Sequence, residues 1–94
     1  MLFLARVYVT LKPVVNDPQG LTIRGALHSL GFTGVADVRA GKYLEVRVDA
    51  TDGAEAATAV AAMCQKLLAN PVIEEFRFEI EVVDGASLAA ETPS

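Results

Sequence analysis

Residues 35–50 read VADVRAGKYLEVRVDA, and the way this stretch divides decides the fold. Val35 to Ala40 reads as one strand and Tyr43 to Ala50 as another, the second with Leu44, Val46 and Val48 on one face. Gly41 between them predicts a tight turn, so the two strands are expected to form a hairpin. Toward the N-terminus, Phe3, Ala5, Val7, Val9 and Leu11 alternate with Leu4, Arg6, Tyr8 and Thr10, the period of two that a strand requires. Pro13 ends that strand, and Asn16, Asp17 and Pro18 open a helix, with Asp17 placed to cap free amides and Pro18 pre-set for the first helical position. The helix is predicted to run to about Leu30, with Ile23, Ala26, Leu27 and Leu30 on one face and Gly31 as its stop. Gly20 and Gly25 inside it each cost up to about 1 kcal/mol relative to alanine, and the sequence leaves open whether close packing or tolerance explains them.

Toward the C-terminus, Asp52 followed by Glu55 is a capping-box pattern that opens an alanine-rich helix. Its apolar stripe is Val60, Met63, Cys64, Leu67 and Leu68, and Asn70 and Pro71 end it. Val72 to Val83 is the last strand, where Phe76, Phe78, Ile80 and Val82 alternate with Arg77, Glu79 and Glu81. The order is βαββαβ. The expectation is an α+β two-layer sandwich, a ferredoxin-like antiparallel four-stranded sheet with two helices on one face. Residues 1–83 form the single expected domain and 84–94 a polar tail expected to be disordered. If Ala5, Val7 and Val9 face the helices, the opposite face carries Leu4, Arg6, Tyr8 and Thr10, a mixed surface suited to pairing with another protein.

Composition narrows the function classes. The chain has 94 residues, so it can bury only part of its surface in one core, yet 52% of it is hydrophobic. Leftover apolar surface points to oligomerisation, at least a homodimer. Its formal charge of −4 disfavours nucleic acid and anionic membrane surfaces as partners. No stretch approaches the roughly 20 apolar residues of a membrane span, and the apolar start is interrupted by Arg6 and Lys12, unlike a signal peptide. A cytoplasmic protein is expected, and the single cysteine suits a reducing compartment.

Chemistry is sparse. His28 is the only histidine and has no companion at metal-ligand spacing. Cys64 falls in an apolar stripe, where a thiol behaves as a small hydrophobe with a raised pKa. Glu74 and Glu75 are adjacent on a strand and point to opposite faces, which excludes a shared-proton dyad. Gly31, Phe32, Thr33 and Gly34 imitate an RNA-clamping loop, but the acidic balance opposes that use. Arg39 and Lys42 beside Gly41 offer a local positive spot for a carboxylate or phosphate. No catalytic set, metal site or cofactor site is expected on the chain.

Taken together, the residues closely resemble the PurS family, the small subunit of phosphoribosylformylglycinamidine synthase. The resemblance rests on Val7, Val9, Leu11, Lys12 and Pro13; on Asp17, Pro18, Gln19 and Gly20; and on Ala26, Leu27, Leu30, Gly31 and Phe32. It continues through Val38, Arg39, Gly41 and Lys42, and through Met63, Cys64, Lys66, Leu67, Leu68, Asn70, Pro71, Val72, Ile73 and Glu74. The loop at Val14, Val15 and Asn16 departs from it, lacking the glycine common after the family's proline, and the tail after Val83 is longer than usual. The resemblance implies a non-catalytic subunit of an ATP-dependent, glutamine-using ligase complex in purine biosynthesis. It would join the PurL synthetase to the PurQ glutaminase, with ATP and Mg at the synthetase. It further implies that Lys12, Asp17, Pro18, Gln19, Arg39, Gly41 and Lys42 are partner-interface residues. The alternative is an ACT-like regulatory module, which shares the strand and helix order and binds small molecules between paired domains.

Overall fold

The computed structural model describes residues 1–83; the tail expected at 84–94 lies outside the described residues. The sheet is built of β1 (Leu2–Leu11), β2 (Gly41–Asp49) and β3 (Glu74–Val83) in the order β2-β1-β3, both pairings antiparallel. The helices are α1 (Pro18–Ser29) and α2 (Gly53–Met63), and α2 runs on into a π-helical turn, Cys64–Leu68.

The alternation in β1 decides which face is buried. Ala5 lies between Val46 and Ile80, and Val7 between Leu44 and Phe78, so these apolar residues share one face. Ala56 and Val60 of α2 and Cys64 of the π turn pack onto it, and Ala5, Val7, Val60 and Cys64 are fully buried. Alanines on α2 let the helix approach closely. Its start is the expected capping box: Asp52 accepts the Glu55 amide at 2.8 Å, while Glu55 reaches back to the Thr51 amide at 3.1 Å. At its far end the Ala69 amide reaches the Cys64 carbonyl at 2.9 Å. The wider turn keeps Cys64 and Leu68 toward the sheet but turns Leu67, placed in the apolar stripe by the sequence, out to solvent at 82% exposure.

Two expectations need correction. The sheet of the described residues has three strands, not four, because 35–40 is not a strand and no hairpin forms at Gly41. The backbone groups of that segment are taken up by side chains instead, as described below. Gly41 is the first residue of β2, pressed against β1 so closely that a Cβ there would strike the Val9 carbonyl oxygen.

The second correction concerns the helices. Only α2 covers the inner face of the sheet; it packs on β1 and β3, whereas α1 makes no substantial contact with any strand or with α2. The stripe expected to face the sheet is open to solvent, with Ile23 39% and Leu30 73% exposed. The radius of gyration is accordingly 17.0 Å, against about 12 Å for a compact chain of this length.

Candidate functional site

The residues singled out around the first loop and before β2 lie far apart in sequence, yet the fold ties them into one lobe. At the end of β1 the Lys12 amide donates to the Ile73 carbonyl at 2.8 Å, and the Val15 amide closes a turn onto the Lys12 carbonyl at 2.9 Å. Arg39 then spans this turn, its Nη2 donating to the carbonyls of Lys12 and Val15, each at 3.1 Å. Asp17 is the hub. Its Oδ1 accepts the Gly20 amide at 3.0 Å, capping α1, and its Oδ2 accepts the Ala40 amide at 2.7 Å. Gly20 is required by packing: a Cβ there would strike the Val38 carbonyl oxygen and stand 2.8 Å from Asp17 Oδ2. Further along α1, Arg24 Nε donates to the Ala36 carbonyl at 3.0 Å and His28 Nε2 to the Val35 carbonyl at 2.7 Å.

Asp17 is 4% exposed and is the only buried charged residue among those described. The Gly20 and Ala40 amides, aided by the nearby Arg39 charge, hold its carboxyl below the ordinary 3.8 despite partial desolvation. Its oxygens are committed to backbone, so it positions other groups and does not itself reach a partner.

Beside the hub lies an open cleft of about 290 Å³ lined by Val9, Leu11, Asp17, Gln19, Lys42 and Glu74, with the backbone of Ala40 and Gly41. A neighbouring hollow of about 270 Å³ is bordered by Pro13, Asp37, Arg39 and Glu75. The predicted set therefore divides by role. Asp17, Arg39 and Gly41 build the lobe, and the Lys12 backbone joins it to the loop before β3. Pro18, Gln19 and Lys42 are exposed and present side chains outward. Glu74, considered from the sequence only as half of an excluded dyad with Glu75, lines the cleft with Lys42 and accepts the Asn70 amide at 2.7 Å. The signal was the Asn70-to-Glu74 run, already part of the family resemblance.

The remaining candidates have structural occupations. Cys64 is buried, and burial pushes its thiol pKa up. His28 is bonded to backbone. The outer face of the sheet carries Arg6 paired with Glu81, and the Arg77 guanidinium 4.0 Å over the ring of Tyr8, which stands 5.1 Å from the ring of Tyr43. Tyr43 in turn donates to Glu45 at 2.8 Å. These charged groups satisfy one another on an open surface.

A sequence model of the family described as "PurS: Phosphoribosylformylglycinamidine (FGAM) synthase" matches residues 4–82. The chain belongs to the PurS family. A PurS subunit of phosphoribosylformylglycinamidine synthase from Synechocystis sp. is 48% identical over 81 residues, covering 86% of this chain and 81% of that one. The crystal structure of PurS from Bacillus subtilis, 46% identical, superposes with a TM-score of 0.76 over 85% of this chain and 99% of its own. A chain in the structure of PurLQS from Thermotoga maritima, 32% identical, gives a TM-score of 0.80 over 86% of this chain and 99% of its own. This PurS chain thus shares an α+β fold of an antiparallel sheet and two helices with solved relatives, and the ACT-like alternative is not favoured.

Proposed function

We propose that this chain is the PurS subunit of phosphoribosylformylglycinamidine synthase and acts there as a non-catalytic bridge between the PurL synthetase and the PurQ glutaminase. The observation that carries the reading is the family match across residues 4–82, joined to a PurS chain that sits in a PurLQS structure. The complex converts formylglycinamide ribonucleotide, glutamine and ATP into formylglycinamidine ribonucleotide, glutamate, ADP and phosphate. ATP and Mg²⁺ belong to the PurL partner, and this chain contributes shape. Among the described residues no helix is long and apolar enough to cross a membrane; the cytoplasm is the proposed location, supported by relatives that are biosynthetic subunits.

The physical need for a bridge follows from the nitrogen. Ammonia released into neutral water is protonated, and ammonium has no lone pair to attack an activated carbon. Two active sites held in fixed relation gain effective concentration and orientation without any reacting group on the holder. The lobe supports this use: Asp17, Arg24, His28 and Arg39 lock α1, the first loop and the 35–40 segment together, so Pro18, Gln19 and Lys42 stand on a rigid base. Lys12, Asp17, Pro18, Gln19, Arg39, Gly41 and Lys42 are the proposed partner-facing region, the exposed members making contact and the buried ones supporting them. Self-association, at least to a homodimer, is part of the reading.

Reconstitution with PurL and PurQ tests it. Glutamine-dependent product formation should require this chain, while turnover with added ammonia should depend on it far less. The Lys42 side chain makes no hydrogen bond or ion pair with the described residues. Lys42→Glu should therefore keep the fold and weaken the glutamine-dependent rate alone. Equal glutamine-dependent rates with and without the chain would sink the proposal.

A further inference from the structure

The outer face of the sheet, opposite α2, lies open among the described residues, and its centre is held stiff. Tyr8 of β1 stands between Tyr43 of β2 and Arg77 of β3. The Arg77 guanidinium rests 4.0 Å over the Tyr8 ring, the Tyr43 ring is 5.1 Å from it, and the Tyr43 hydroxyl donates to Glu45 at 2.8 Å. Tyrosine and arginine carry much of the binding energy at protein interfaces, and side chains fixed before contact lose little entropy on docking.

Beside Tyr8 this face opens into a hollow of about 380 Å³ lined by Tyr8, Thr10, Glu75, Phe76 and Arg77. Its aromatic walls suit the aliphatic stem of a lysine or arginine, and a carboxylate at the rim suits the charged head. That carboxylate is free: Glu75 is exposed and makes no hydrogen bond or ion pair with the described residues. Arg77 does not take the place, because its guanidinium is turned onto the Tyr8 ring, with Nη1 4.0 Å from Glu79.

Charge selects the kind of partner. On this face Glu45, Asp49, Glu75, Glu79 and Glu81 stand against Arg6, Arg47 and Arg77, and negative charge stays in excess even with the Met1 ammonium on Asp49. Such a face repels nucleic acid and anionic lipid. A second copy would bring the same excess against itself, whereas a different protein bearing lysine or arginine is attracted.

We infer that the outer sheet face docks a basic surface of another subunit of the complex, with one lysine or arginine of that subunit seated between Tyr8 and Glu75. Strands of ten residues at about 3.3 Å each, three abreast at about 4.8 Å, give a platform of about 33 by 14 Å. That is enough for the centre of an interface of roughly 800 Å² per partner. The cleft at Lys42 and Glu74 belongs to the inner side, since those residues pair with Val9 and Leu11 of the inner row. The chain then has contact surfaces on both sides of its sheet, as a bridge between two different subunits requires.

This inference rests on the bridging role proposed above, and the experiment separates the two. Full-length chain is titrated into PurL and PurQ with glutamine and ATP, and the concentration giving half-maximal glutamine-dependent turnover is read at low and high salt. Glu75→Lys should raise that concentration at least about tenfold and flatten its salt dependence, with the plateau rate, melting curve and sedimentation of the chain alone unchanged. Glu75→Gln, which removes only the charge, should act in the same direction by a smaller factor. Gln65→Lys, on the π turn at the other side of the sheet, should titrate like the parent. A parent chain that turnover does not need overturns the bridging role and this inference together. A needed parent with Glu75 variants that saturate at its concentration overturns the outer-face contact alone. Equal effects of Gln65→Lys and Glu75→Lys assign the result to net charge and overturn the seat. Sedimentation altered by Glu75→Lys makes a second copy the occupant and overturns it as well.

Discussion

The two glycines inside α1 should respond in opposite directions to the same substitution. Gly25 has no neighbouring atom within 4 Å of a built Cβ. Alanine there gains helix propensity and nothing else, about 1 kcal/mol. For a domain of this size that raises Tm by about 4–8 °C. Gly20→Ala gains the same propensity but drives its methyl into the Val38 carbonyl oxygen and to 2.8 Å from Asp17 Oδ2. Neither neighbour can step aside cheaply: Val38 is backbone, and Asp17 is held by two amides. Overpacking of this kind costs about 3 kcal/mol, the top of its usual range. The net loss is about 2 kcal/mol, or a Tm lower by roughly 8–16 °C.

The assay is calorimetry or a circular-dichroism melt of the two variants beside the parent, at one protomer concentration because association shifts Tm. If both variants move the same way, or if Gly20→Ala melts within a degree or two of the parent, the close contact between α1 and the 35–40 segment does not hold the lobe together.

Gly31 sits at φ 99°, where a side chain is strained, so Gly31→Ala should cost about 1–2 kcal/mol and lower Tm despite open space around it; an unchanged Tm would remove the Schellman argument. Asp17 has a depressed folded pKa, so its contribution is complete above the unfolded value of 3.8 and is lost as pH falls below it toward the folded value. Asp17→Asn should therefore be less stable than the parent at neutral pH, and the gap in urea midpoint should close well below pH 3.8; a gap independent of pH would refute the two-amide hub. Cys64, buried with its thiol pKa raised, should react with a thiol reagent only as fast as the chain opens, and at least a hundredfold faster in denaturant.

Local signals in the sequence were reliable wherever the stabilising partner is local. Asp17 before Pro18, Asp52 before Glu55 and Gly31 after Leu30 each named a helix end, because a cap is made by residues a few positions apart. The alternation of β1 and β3 named the buried face because the period of two is set by each strand's own pleat, whatever its partner. The 35–40 segment failed because extended propensity does not provide a ladder. The Ala40 amide is taken by a carboxylate 23 residues away, and the Val35 and Ala36 carbonyls by His28 and Arg24, so the segment stays extended without joining the sheet. Nothing in VADVRA announces that its partners are side chains. The candidate region was legible only as separate pieces: Asp17 to Gln19 and Arg39 to Lys42 stood out, but the Asp17 link that joins them, and the place of Glu74 beside Lys42, needed the fold.

That link bears on how the chain works with its partners. The same hydrogen bonds that hold α1 out from the sheet also shape the cleft at Gln19, Lys42 and Glu74, since Asp17 caps the helix with one oxygen and fixes the start of β2 with the other. Helix α1 and the cleft are therefore one rigid piece, so any partner contact made by α1 sets where the cleft points. A subunit that orients two active sites must resist bending between its self-contact and its partner contacts, because an error of an ångström in relative position can cost two orders of magnitude in rate. A helix folded back on its own sheet would bury more surface but would separate the two contacts into different layers. Leaving α1 uncovered in the single chain sacrifices stability that burial of Ile23, Leu30 and Phe32 against a partner would recover.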